Sequence, residues 1–137
     1  MQSKVTIYGI KTCNSMKKAF EILKNADIEY EFVDYKKQTL ESSFLESLTK
    51  NLQSKTQDDH GLANIINTRG TTYRKLSKDF AHIKNASDIS EEMIINNPSI
   101  IKRPLVILEG ETTKIAIGLE QLENLIRDIK YNKENII

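Results

Sequence analysis

The chain has 137 residues, 39% apolar and 28% charged, with a formal net charge of +1 and one cysteine. That length suits a single domain with a sizeable core, and the near-neutral balance removes the electrostatic case for nucleic acid or a membrane as the main partner, leaving only local basic clusters open. A lone cysteine excludes an internal disulfide, the absence of a signal peptide or spanning apolar run points to a reducing cytoplasm, and His60 and His82 are too far apart, with no further Cys or His at ligand spacing, for a metal site to be expected.

Residues 5–8 (VTIY) read as a short buried strand that Gly9 breaks, and Met16, Ala19, Phe20, Leu23 and Ala26 then recur at helical spacing. Cys13 therefore falls in a strand-to-helix loop. The free N–H groups and positive end of a helix dipole bias a thiol there toward thiolate and would also hold an oxyanion, and Lys11, Lys17 and Lys18 add positive charge nearby in sequence. A lone cysteine is more often a small inert hydrophobe, so position alone leaves both readings open. Residues 28–35 alternate as a half-buried strand, with Tyr30, Phe32 and Asp34 on one side and Glu29, Glu31 and Val33 on the other. Strand, helix, strand predicts two parallel neighbours with a right-handed crossover, and ligands bind at the carboxyl ends of such strands, where Cys13 lies.

Residues 39–79 change character, with short apolar clusters among Ser, Thr, Asn and Lys. Leu40, Phe44, Leu45, Leu48 and Leu52 space as a helix, residues 62–66 suggest a second, and residues 73–76 a short third after the breaker Arg69-Gly70, while residues 53–60 read as a polar loop. About forty residues make a poor independent core, so this stretch is read as a helical insertion and not as a separate domain. Ser90 looks like the N-cap of a helix that ends at Asn96-Asn97-Pro98. A third strand starts at Pro104, residues 109–111 turn, and residues 113–117 return as a fourth strand with Ile115 and Ile117 on one face. Gly118 ends that strand, Leu119, Leu122, Leu125, Ile126 and Ile129 mark a closing helix, and residues from Tyr131 onward look frayed.

Four segments in this order, I-Y-G-I-K-T-C-N-S-M-K-K-A, N-T-R-G-T-T-Y-R-K-L, I-K-R-P-L-V-I and I-G-L-E, resemble the arsenate reductase (ArsC)/Spx family, in its YffB-type branch, over nearly the whole chain. The resemblance implies an α/β thioredoxin-like fold with a mixed four-stranded sheet, in one domain of residues 1–137 with the helical insertion at about 39–97 between the second and third strands. It makes Cys13 the catalytic cysteine and places Arg103, Arg69, Lys17 and Pro104 in substrate or glutathione binding, with the Arg103–Pro104 bond cis and facing the cysteine. Arsenate-reducing members carry the arginine that Arg69 stands for slightly earlier in the motif. Their third arginine, in the fourth-strand region, has no counterpart in residues 114–119 (KIAIGL), which counts against arsenate itself.

The chemistry fits these residue types: a thiolate attacks sulfur or arsenic while fixed cations stabilise negative charge on oxygen, and the planar fork of arginine pairs two oxygens at once. Position 16 is Met16, so there is no C-x-x-C and any disulfide formed on Cys13 needs an outside thiol. The implied activity is a glutathione-linked monothiol reductase acting on a thiol, disulfide or oxyanion, monomeric, cytoplasmic, with glutathione as co-substrate and no bound cofactor. The alternative the same resemblance carries is an Spx-like regulator that binds RNA polymerase without the C-x-x-C redox switch.

Overall fold

The computed structural model of the chain describes residues 4–56 and 61–134. In chain order the elements are β1 (Lys4–Gly9), α1 (Asn14–Asn25), β2 (Glu31–Asp34), α2 (Ser42–Thr56), α3 (Thr71–Asp79), α4 (Glu91–Asn96), β3 (Leu105–Glu109), β4 (Thr113–Ile117) and α5 (Leu119–Glu134), with 3-10 turns at Gly61–Ile65, Ala86–Asp88 and Pro98–Ile100. They fall into two units. One holds the sheet, from the described residues up to Asp34 and from Arg103 onward, and the other is Tyr35–Lys102. None of the helices among the described residues is long and apolar enough to cross a membrane.

In the first unit the strands lie in the order β2-β1-β3-β4, with β1 parallel to β2 and antiparallel to β3, and β3 antiparallel to β4. This is the mixed sheet of the thioredoxin-like fold, with the helical segment inserted between the second and third strands. The two central strands are buried on both faces, so β3 reads as an unbroken apolar run, LVIL. Val5 and Ile7 of β1, Val106 of β3 and Ala116 of β4 share a core with Met16, Ala19 and Leu23 of α1 and Leu122, Leu125 and Ile126 of α5. The residues of α1 in that core recur at three- and four-residue steps, which is how one helical stripe meets one sheet face.

The second strand is shorter than the alternation of residues 28–35 suggests, because the chain is still tied to the end of α1 there. Ile28 N–H donates to the Leu23 carbonyl (3.0 Å) and Asp27 N–H to the Lys24 carbonyl (3.0 Å), a Schellman closure. Asp27 occupies the left-handed position at φ 58° that glycine usually fills. Tyr30 then stacks on Phe20, with ring centroids 5.6 Å apart, and the ladder starts only at Glu31.

In the unit Tyr35–Lys102, α2 packs on the 3-10 turn Gly61–Ile65 and on α4. The expected second helix is that five-residue 3-10 turn, and its end is pinned where Lys102 N–H donates to the Ile65 carbonyl (2.7 Å) and Asn67 N–H to the Ile100 carbonyl (2.8 Å). The loop expected at 53–60 is helical through Thr56, and His60 with the rest of 57–60 lies outside the described residues. Ser90 caps α4 as expected, its side chain accepting from Met93 N–H (3.2 Å). The closing helix α5 runs through Glu134, past the fraying expected from Tyr131, and residues 135–137 lie outside the described residues.

Two details of the first unit shape what surrounds Cys13. The β3–β4 register continues one step past the strands, where Gly118 N–H donates to the Pro104 carbonyl (2.9 Å); proline has no N–H to return, so this rung is a single hydrogen bond. Gly118 sits at φ +87°, and the Arg103–Pro104 bond is cis, as the resemblance led us to expect. Gly9 is the second detail, because a Cβ built there would overlap Sδ and Cε of Met16, whose side chain is fully buried. Gly9→Ala should therefore cost about 1–3 kcal/mol in urea unfolding through overpacking. The cost should shrink when Met16→Ala is added, and a strictly additive double variant would show that the two sites do not touch.

Candidate active site

The loop after β1 brings Cys13 to the N-cap of α1. Its backbone is extended (φ −80°, ψ 136°), its N–H donates to the Ile10 carbonyl (3.3 Å), and its carbonyl accepts from Met16 and Lys17 N–H (both 3.1 Å), which opens the helix. Cys13 is half-buried at the edge of the core.

Its thiol pKa lies below the ordinary cysteine value. Burial alone pushes it up, and that push is outweighed by a hydrogen bond from the Arg103 side chain, by the backbone N–H groups of Met16 and Ser15 at the start of α1, and by the charge of Arg103. These N–H groups favour the charged sulfur as hydrogen-bond donors at the start of the helix, although no full side-chain capping bond is closed. Of the reactive and inert readings that position left open, the surroundings match the reactive one.

Among the residues singled out from sequence, Cys13 and Arg103 come together, and Pro104 directly follows Arg103 in the chain. Arg103 is half-buried, and buried Pro104 is tied to Gly118 on the other side of the same rung. Lys17 lies one turn into α1 with its side chain exposed, and neither it nor Lys11 or Lys18 contributes to the lowered thiol pKa. Arg69 belongs to the unit Tyr35–Lys102, exposed on a turn where its N–H donates to Asn67 Oδ1 (3.2 Å). Sequence reasoning gave the helix end as a general feature but did not single out Ser15 and Met16 as its donors. The signal was the onset of the helical pattern, read two residues late. No group of three or more His, Cys, Asp or Glu able to hold a metal occurs among the described residues. A cleft of about 700 Å³ lined by Phe20, Glu21, Lys24, Asp27 and Tyr30 lies toward the other end of α1 and contains none of these residues.

The ArsC family model matches residues 8–125. An uncharacterized protein of Haemophilus influenzae is 34% identical over 121 residues, covering 87% of this chain and 94% of its own length. The global transcriptional regulator Spx of Staphylococcus aureus is 29% identical over 126 residues, covering 89% and 86%. Among solved structures, a YffB protein is 32% identical, with 89% of this chain and 96% of its own covered at a TM-score of 0.64.

The lowered thiol pKa has two measurable consequences. Cys13 should react with iodoacetamide at pH 6 faster than a model thiol, and Arg103→Ala should move the reactivity profile up toward the unperturbed value of about 8.5. The folded pKa lies below the unfolded one, so the thiolate's contribution to stability is absent at low pH, grows as pH rises through the folded value, and is complete above about 8.5. The stability gap between the parent chain and Cys13→Ser, measured by urea unfolding under reducing conditions, should widen over that window and then level off. A gap independent of pH would show that the thiol is not perturbed.

Proposed function

The chain belongs to the ArsC family, a group with thiol-based, reductase-like function, and on that premise we propose that it is a glutathione-linked monothiol reductase whose substrate is a mixed disulfide. The observation that carries this reading is the pairing of the Cys13 thiol with the Arg103 side chain at the N-terminus of α1. In the first step the Cys13 thiolate attacks one sulfur of the substrate disulfide. A new S–S bond forms to Cys13, the old one breaks, and the departing thiolate takes a proton from solvent. In the second step an outside thiol, glutathione in this proposal, attacks the Cys13 disulfide, restores the thiolate and leaves as oxidised glutathione or its mixed form. The chain has no second cysteine, so both electrons come from outside it.

Arg103 serves twice in this scheme: it holds the thiolate, and its fork can pair with a carboxylate of the incoming thiol. Lys17 is proposed as a further cation for the same carboxylates, one turn into the helix. Arg69 keeps its assignment from the resemblance alone. A reducing compartment and a non-resident glutathione are part of the proposal.

A second reading, an Spx-like regulator that binds RNA polymerase, is favoured by the 29% identity over 126 residues to a protein described as a global transcriptional regulator. Binding of purified RNA polymerase by the chain, unchanged in Cys13→Ser, with no glutathione-dependent turnover, would decide for it.

For the enzyme reading, intact-mass analysis after incubation with oxidised glutathione should show one glutathione on Cys13, and none after incubation with arsenate. Arg103→Lys keeps the charge but loses the fork, and removing one charge-assisted hydrogen bond should lower the rate of mixed-disulfide reduction by about ten- to hundredfold. Arg103→Ala should lose more. Equal rates for arginine, lysine and alanine would remove Arg103 from the site.

A further inference from the structure

At the end of α1 away from Cys13, side chains of the helix and of the segment leading into β2 line one cleft of about 700 Å³. The helix has 12 residues, so the cleft lies about 18 Å along it from the cysteine. Phe20 and Tyr30 are part of its wall, stacked with ring centroids 5.6 Å apart, and Phe32 meets Phe20 edge-on at 5.1 Å. Tyr30 keeps 38% exposure although one of its ring faces lies on Phe20, so the rest of the ring is open to a ligand. Half-buried Ile28 adds aliphatic surface.

The same cleft is lined by Glu21, Asp27 and Glu29, all exposed, against a single cation, Lys24. None of these four is in an ion pair among the described residues. The negative end of the α1 dipole adds to the three carboxylates, so the cleft is negative on a chain whose net charge is +1. The carboxylates do not converge into a group able to hold a metal ion. A cation that complements them therefore has its charge spread along its length. Asp27 holds its carboxylate here at φ 58°, a left-handed conformation that costs an L-residue more than glycine.

We propose that this cleft binds a linear aliphatic polyamine. Its ammonium groups pair with Glu21, Asp27 and Glu29, and the methylene segments between them lie on Phe20, Ile28 and Tyr30, whose ring also attracts an ammonium. The volume falls within the range of about 300–1,000 Å³ typical of small-molecule sites, and one lysine or arginine side chain inserted by a protein partner would leave most of it unfilled. The site is independent of the chemistry at Cys13.

The test is isothermal titration calorimetry of the full chain with three probes of equal charge: spermidine, the compact ion hexaamminecobalt(III), and a capped triarginine peptide. Spermidine should bind tightest, with affinity that falls as salt rises. Glu21→Gln/Glu29→Gln should weaken it by about tenfold, and Lys24→Gln should tighten it by about threefold, a gain that loss of the fold cannot produce. Tyr30→Ser should remove most of the lead of spermidine over hexaamminecobalt. Asp27→Gly should weaken spermidine by about threefold without lowering the urea midpoint, which separates a ligand role from a structural one. Cys13 reactivity should be unaltered in every variant, reporting that the fold is kept. The proposal is overturned if spermidine does not bind, if the compact ion or the peptide binds as tightly, if the glutamine double variant binds as the parent does, or if Lys24→Gln fails to tighten binding.

Discussion

Everything at the candidate site turns on how a half-buried sulfur can carry charge. Removing a thiolate from water raises its pKa, and that is the largest single influence on Cys13. The sulfur is nevertheless held below the ordinary cysteine range by donors fixed by the fold: the Arg103 side chain and the Ser15 and Met16 N–H groups. Fixed donors matter because they are already ordered when the charge appears. An exposed lysine would have to surrender up to about 2 kcal/mol of rotamer freedom to do the same. Lys11, Lys17 and Lys18 are near in sequence and exposed, yet the charge that acts on the thiol is that of Arg103, which is distant in the chain.

Both sides of the pair are positioned by close backbone approaches. On the cysteine side, Gly9 leaves room for Met16 to lie against the end of β1, which seats the first turn of α1 and hence the N–H groups that face the sulfur. On the arginine side, the one-bond rung from Gly118 to Pro104 extends the β3–β4 ladder to the residue next to Arg103. Ile117 N–H, on the open edge of β4, is satisfied by the side-chain oxygen of Gln121 (2.9 Å), so the turn into α5 is fixed from the other side as well. The sheet thus brings together two residues ninety positions apart.

The sheet unit was legible because its signals are periodic or special. The VTIY run, the helical stripe from Met16, the LVIL run and the hairpin before Gly118 each match one element, and burial on one face leaves little choice of register. Reading failed where the chain's own hydrogen bonds override side-chain pattern. The alternation of residues 28–35 continues back past Glu31, but Ile28 is bonded to the end of α1, and Asp27 takes a left-handed position that no pattern of hydrophobicity reveals. The 3-10 turn at Gly61–Ile65 has the composition of a helix and is kept short by its pairing with residues 100–102. The polar stretch after Leu52 stays helical through Thr56 although it carries no apolar stripe. Cys13 was visible as a helix-end thiol, and Arg103 only through the resemblance, since a long-range pair leaves no local trace.

The single thiol follows from the same packing. In a C-x-x-C arrangement the second sulfur would occupy position 16, which here is a methionine with no exposure, pressed against Gly9 and shared by the core of β1, β3, α1 and α5. A cysteine there would remove most of a large side chain from a close-packed centre and leave a cavity, a change that costs several kcal/mol in comparable cores. The space made by Gly9 is therefore used for packing, and position 16 offers no second sulfur to Cys13. The residues next to Cys13 in sequence include Lys11, Thr12, Asn14 and Lys17, all exposed and two of them cationic. An outside thiol that carries carboxylates meets favourable charge as it approaches, whereas a neutral thiol gains nothing from these groups.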